Sequence, residues 1–229
     1  MQRSPIRSII FGLLLTMTMG SLAKAQYLFA SFEGSVSDGF GSWNNGVVPF
    51  ASDTTGSSYS YSSYGATNGV TALEVTDPNG YQQDLAFDFA ANGDTSQFLA
   101  NDVISFNVTS PPAGASTSGY WQVYQLFLNA PGAGFTQIGG APLYNQYYYA
   151  GFGGATTTIS VNYDAFKAAM TGNGYIQMIL ALNAGGGAPD NFYFDNFQLS
   201  SVPEPASLSV LALGAVGLLG RRRQRIPQR

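Results

Sequence analysis

Hydrophobic and polar residues alternate with a period of two along much of this chain. Leu73 and Val75 fall on one side of the run Thr71 to Thr76, with Glu74 opposite. Leu85, Phe87 and Phe89 share a side against Asp88, and Ile104, Phe106 and Val108 share one against Ser105 and Asn107. Such alternation predicts half-buried antiparallel strands. Further strands are predicted at Tyr27 to Phe32, Thr157 to Val161, Tyr175 to Leu182 and Phe192 to Leu199, while Tyr120 to Asn129, apolar on both sides, reads as a central strand. Residues 35–69, rich in glycine, serine and tyrosine, predict a long connection. Asn162 predicts the N-cap of a short helix reaching Met170, the one helical stretch. Eight or nine strands joined by glycine-rich turns predict an all-β fold, a two-sheet antiparallel β-sandwich of the jelly-roll type with one short helix.

Both ends of the chain break this period. Arg3 and Arg7 precede the apolar run Ile9 to Leu15, and Ala23-Lys24-Ala25 precedes Gln26. A charged start, an apolar stretch and small residues at a cleavage site predict a secretory signal peptide over 1–25, removed by signal peptidase. At the other end, Val202-Pro203-Glu204-Pro205-Ala206-Ser207 leads through an apolar run to Gly220 and then Arg221, Arg222, Arg223 and Arg225. As a helix, residues 206–220 span roughly 22 Å at ~1.5 Å per residue, short of the ~30 Å hydrocarbon layer. Snorkelling arginines make up the difference and, as a stop-transfer, keep their own side cytoplasmic. The chain thus reads as three parts: residues 1–25, a β-sandwich domain over 26–201, and a tag over 202–229.

The order and spacing of that tag resemble the PEP-CTERM sorting signal of Gram-negative bacteria; the competing reading is an ordinary single-pass anchor. The resemblance implies transient insertion in the inner membrane, action of an exosortase-type membrane protease near Pro203-Glu204-Pro205, and delivery to the cell surface or beyond. Members of that family often accompany extracellular polysaccharide production.

Charge narrows the partners of the middle part. Of nine cationic residues, eight lie in the terminal parts, so Lys167 alone faces twelve carboxylates in the domain. Nucleic acid and anionic membrane surfaces are excluded as partners by repulsion. There is no cysteine and no histidine. Disulfide staples, a Ser-His or Cys-His dyad and the usual zinc ligands are therefore excluded.

Ser31-Phe32-Glu33-Gly34 with Asp38-Gly39-Phe40 and Trp43, and the closing run Phe192 to Leu199, resemble the two ends of galactose-binding-like jelly rolls found in carbohydrate-binding modules. Asp195 alternates with Tyr193, Phe197 and Leu199, so it is expected to point inward unless a bulge intervenes. A carboxylate taken out of water needs compensation, and the domain contains no arginine. The resemblance implies a structural Ca²⁺ near the first and last strands, and Glu33 and Asp195 are the matching positions, with Asp38 or Asp190 as further candidates. The alternative is that both carboxylates lie at strand ends, solvated or accepting turn N–H groups.

Most acidic residues sit in turn sequences, where they bond the local backbone, and no pair stands out for glycosidase work. Catalysis is not expected. Aromatic rings suggest a different role. Trp43, the loop tyrosines Tyr59, Tyr61 and Tyr64, and Tyr144, Tyr147 and Tyr149 are candidates to stack on sugars, with Gln125, Asn145 and Gln146 bonding hydroxyls. Tyrosine is also a favoured filler of half-buried strand surface, which leaves a passive structural or adhesive surface protein as the competing class.

Overall fold

The alternating runs become strands that pair into two antiparallel sheets. The structure is a computed structural model that describes residues 26–77, 82–112, 122–139, 154–172, 174–184 and 190–202. The chain divides into the body Gln26–Ser201 and a unit of its terminal segments, Met1–Ala25 and Val202–Arg229. The expected signal helix and C-terminal helix, with Pro203, Glu204, Pro205, Arg221, Arg222 and Arg223, lie outside the described residues. Among the described residues, no helix is long and apolar enough to cross a membrane.

In chain order the strands are β1 (Tyr27–Ala30), β2 (Phe40–Trp43), β3 (Val47–Val48), β4 (Ser58–Ser62), β5 (Ala72–Asp77), β6 (Gln82–Asp88), β7 (Val103–Thr109), β8 (Gln122–Ala130), β9 (Gly134–Gly139), β10 (Thr156–Asn162), β11 (Gln177–Ala184) and β12 (Asp190–Ser200). Two six-residue helices accompany them, α1 (Thr95–Ala100) and α2 (Asp164–Ala169). Sheet A runs β10-β7-β12-β5-β4, with β1 also pairing β12; sheet B runs β3-β2-β6-β11-β8-β9. All of these pairs are antiparallel.

The period-two residues meet between the sheets. Leu73, Val75, Ile104, Phe106, Val108, Phe192 and Phe194 of sheet A pack with Leu85, Phe87, Leu126, Leu128, Met178, Leu180 and Leu182 of sheet B. At one end Phe29, Phe40, Phe87 and Phe197 form a ring cluster with centroids 4.8 to 6.3 Å apart. Burying a side chain of this size is worth about 1.5–3 kcal/mol, so this core supplies the stability that disulfides provide in other exported domains.

Strand β12 organises the sandwich. Along Asp190–Phe194 it pairs with β5, and along Phe197–Leu199 the same edge pairs with β1. The hand-over falls at Asp195–Asn196, where the register with β7 shifts and Asn196 takes φ +58°.

Residues 35–69 are not a plain connection. They hold β2, β3 and β4 and a 3-10 turn over Phe50–Ser52. The sequences FGSW and SYSYS carry too few apolar positions to show a period, and long-range pairing makes them strands. Strand β9 escapes notice for the same reason. In α1, Phe98 is the one buried residue, so no helical stripe precedes it. Helix α2 starts one residue later than expected, after Tyr163. The N-cap position is held by Tyr163, which makes no side-chain cap bond; Asn162, the expected cap, stands one residue earlier, where its side-chain oxygen accepts the Asp164 N–H at 2.9 Å.

Candidate functional site

Asp195 is fully buried, as its sequence position predicts, but on the other side of the sheet. Phe192 and Phe194 face the core, which turns Tyr193 and Asp195 outward. The bulge at Asn196 then resets the alternation so that Phe197 and Leu199 return to the core. The 64–71 loop covers Asp195 on this outer side. Its Oδ2 accepts the N–H of Thr67 at 2.5 Å, the N–H of Asn68 at 2.7 Å and the Thr67 hydroxyl at 2.9 Å, while Oδ1 accepts the Asn196 N–H at 2.6 Å.

Glu33 grips the other end of the same segment. Its Oε1 accepts the N–H groups of Val70 and Thr71 at 2.8 and 2.7 Å and the Thr71 hydroxyl at 3.0 Å. The Thr71 N–H first, then Val70 N–H and the Thr71 hydroxyl, hold the Glu33 carboxyl below its ordinary range. Between the two anchors lies Gly69 at φ +90°, where a Cβ would sit 2.3 Å from the Glu33 carboxyl carbon. Glycine is required there by both conformation and space.

Calcium takes six to eight oxygen ligands. Here the two carboxylates meet N–H and O–H donors, and among the described residues no group of three or more acidic side chains converges. Asp38, one of the two further candidates, spends Oδ2 on the N–H groups of Ser31 and Phe32, while the side chain of Asp190, the other, lies outside what the structure describes. As arranged, these residues fit the pinning of backbone; a shared cation would have to displace donors. Lys167 compensates none of them, since it pairs with Asp102 at 2.5 Å and Asp164 at 3.4 Å.

The outer face of sheet B has a different character. Register places Gly41, Ala86, Ile179 and Phe127 in one row across it, and Asp88, Gln177, Asn129 and Phe135 in the next. Trp43 projects from β2 onto this face. Its ring lies 5.7 Å from that of Phe135, which in turn lies 4.9 Å from Phe127. Strands β2 and β9 are separated by three others, about 19 Å in a flat sheet. Rings from these strands meet because the sheet curls, which makes the outer face concave. Beneath the rings Ala86, Ile179 and Ala181 are buried without belonging to the main core.

A polar ladder runs beside the rings. Asn129 Nδ2 donates to Gln177 Oε1 at 2.9 Å, and Gln177 Nε2 donates to Asp88 Oδ2 at 3.2 Å. Asp88 Oδ1 is fixed by the N–H groups of Ala90 and Ala91. Asn129 and Asp88 are half-buried and Phe135 is 44% exposed, so the ladder ends and the outermost ring meet solvent.

Of the residues singled out in the sequence, Trp43 belongs to this face and Gln125 joins it by register with Ala181. Tyr144, Tyr147 and Tyr149, with Asn145 and Gln146, lie outside the described residues. The other loop tyrosines are scattered. Tyr59 stacks on Phe50 at 3.8 Å, Tyr64 leans edge-on against Tyr193 and donates to the Ser110 carbonyl, and Tyr61 stands exposed. Sequence reading missed Phe127, Asn129, Phe135, Gln177 and Asp88. In β8 the outward alternation of Gln125, Phe127 and Asn129 carries a signal, masked by reading that run as apolar on both faces.

The fold is that of a two-sheet β-sandwich with a concave, ring-bearing face. Residues 201–224 match the PEP-CTERM protein-sorting motif, which marks the chain for exosortase-dependent export with C-terminal anchoring. Among solved structures, the chain is similar to the family 11 carbohydrate-binding module of the cellulosomal cellulase Lic26A-Cel5E of Clostridium thermocellum, at 16% identity and a TM-score of 0.46 over 80% of this chain and 98% of that one. It is also similar to Caldicellulosiruptor saccharolyticus CBM27-1, solved with mannohexaose, at 15% identity and 0.47 over 80% and 99%. A third is the CBM22-1 xylan-binding domain from Paenibacillus barcinonensis Xyn10C, at 14% identity and 0.44 over 79% and 99%. A search of curated proteins finds no match.

Proposed function

We propose that this is an exported, non-catalytic surface or matrix protein whose sandwich domain binds extracellular polysaccharide on the outer face of sheet B. In this reading signal peptidase releases residues 1–25, the tag inserts transiently in the inner membrane of a Gram-negative cell, and an exosortase-type protease acts near Pro203-Glu204-Pro205. One observation carries the binding assignment: the concave face sets Trp43, Phe127 and Phe135 beside the Asp88–Gln177–Asn129 ladder. Rings that stack on the apolar faces of sugars, next to fixed amides that bond hydroxyls, match the make-up of a ligand site. Lys167, the domain's one cation, is committed to Asp102 and Asp164, which fits a neutral ligand better than an acidic one.

Hydrolysis of a glycosidic bond needs two carboxylates flanking it, one of them protonated. Asp88, the described carboxylate on this face, is taken up by Ala90, Ala91 and Gln177. The test is retention in affinity gels of mixed-linked β-glucan, xylan, mannan and the polysaccharide of the producing cells. Wild type is expected to be retarded on at least one. Trp43→Ala and Phe135→Ala are expected to weaken that binding about tenfold or more, as loss of a ring contact worth ~1.4 kcal/mol does. Absence of retardation on every gel would overturn the assignment.

A further inference from the structure

The two edges of the concave face differ. On the β9 side the strand is exposed from Gly134 to Gln137. On the β2 side the chain rises over the face. Gly41 points its missing side chain outward, since its neighbours Phe40 and Ser42 point inward. A Cβ there would sit 2.0 Å from the Val48 carbonyl oxygen and 3.2 Å from a Val47 methyl. The backbone of Val47–Val48 therefore stands on the outer side of β2, and Gly41 is the residue that lets it come so close. Behind this wall Phe50 stacks on Tyr59, and Tyr59 is held by its hydroxyl on Asp53 at 3.0 Å.

Between the wall and the ladder lies a cavity of about 1040 Å³, lined among others by Gly41, Val48, Phe50, Tyr59, Asn92 and Gln177. That is the upper end of the range for pockets that enclose small ligands, about 300–1,000 Å³. Asp88 and Gln177 also line it, so the ladder leads from Asn129 at the open edge directly into it. From β8 to β6 this path crosses two strand spacings, about 10 Å. A chain laid along the path from the open side runs into the Val47–Val48 backbone.

We propose that the cavity, stopped on one side by the Val47–Val48 backbone, is a subsite for the terminus of a glycan chain, so that the domain recognises chain ends. This rests on the polysaccharide reading above and adds which part of the polymer is held. An end unit carries hydroxyls that an internal unit has lost to its linkage. The Ser35–Ser37 hydroxyl pair, whose oxygens are 3.0 Å apart, lines the cavity and can meet them, as can Oδ1 of Asn92, whose Nδ2 is held by the Asp88 and Gly39 carbonyls. The shared chemistry is a terminal sugar ring, from either end of the chain.

The test uses the mature exported protein and the mixed-linked β-glucan, xylan or mannan that retains it. Each polysaccharide is compared at equal mass before and after partial hydrolysis. Binding capacity per gram is expected to double when the mean chain length is halved, with Kd per chain unchanged. Ala91→Trp or Ala51→Trp, each placing an indole in the cavity from an exposed lining position, is expected to weaken binding tenfold or more with the melting temperature kept. Borohydride reduction of the chains separates the two ends: loss of binding assigns the reducing end, and retention the other. Capacity per gram that ignores chain length, with both tryptophan variants binding as wild type, would overturn the chain-end proposal while leaving polysaccharide binding intact. Failure to bind any of the three polymers would remove both.

Discussion

The outer faces of the two sheets hold similar chemistry and put it to opposite uses. On sheet A, Asp195 lies under a loop and Glu33 at its edge, and every oxygen contact described for them is to a donor of the chain itself. On sheet B, Asp88 is likewise fixed by backbone, but it orients a ladder of amides beside rings that reach solvent. A carboxylate buried against its own backbone is structural whatever its sequence surroundings suggest. One that orders exposed neighbours belongs to a surface that can receive a ligand.

The sharpest way to break this contrast is to remove the sheet A anchor. Asp195→Ala leaves the N–H groups of Thr67, Asn68 and Asn196 facing a void, and each buried donor without an acceptor costs about 1–3 kcal/mol. A loss of about 3 kcal/mol or more in chemical denaturation is expected. An Asp195→Ala variant as stable as wild type would end the structural reading of that residue. Next comes Gly69→Ala, which forces φ +90° on a residue with a Cβ and crowds Glu33. About 1–2 kcal/mol of destabilisation is expected by the same measurement.

Acid should act more gently. Glu33 titrates below its ordinary range when folded, through the Thr71 and Val70 contacts. In Asp53 burial pushes upward, but hydrogen bonds from Thr55 and Tyr59 outweigh it and lower it too. The folded state thus binds these protons less readily than the unfolded one. Their contribution is complete above the unfolded values of about 4 and is lost as pH falls through the lower folded values. Glu33→Gln is expected to flatten part of the stability decline between about pH 5 and 2, followed by circular dichroism. The smallest effect expected is that of calcium. Melting curves in calcium and in EDTA should coincide if donors fill the Glu33 and Asp195 oxygens, whereas a rise with calcium would show that a cation replaces them.

Much of the sandwich was legible because its core strands are ordinary alternating ones. Ile104, Phe106 and Val108 announce β7, and the same rule found β5, β6 and β11. Two of the strands that build the candidate site, β2 and β9, stayed hidden. FGSW in β2 and GFTQIG in β9 are edge pieces whose identity comes from partners far away in sequence. Trp43 was found as a ring worth attention, but nothing near it in sequence points to Phe135 as its neighbour. Asp195 was found as a buried carboxylate, but its direction turned on a single bulged residue, Asn196.

By itself, then, the sequence determined the strand pattern, the acidic and cysteine-free character of the domain, and the sorting motif at its end. These depend on local order and composition, which short stretches of chain display. Which face each side chain occupies, and which distant residues meet there, was decided by register, curl and the bulge in β12. Those are properties of pairings between strands, and a single strand does not carry them.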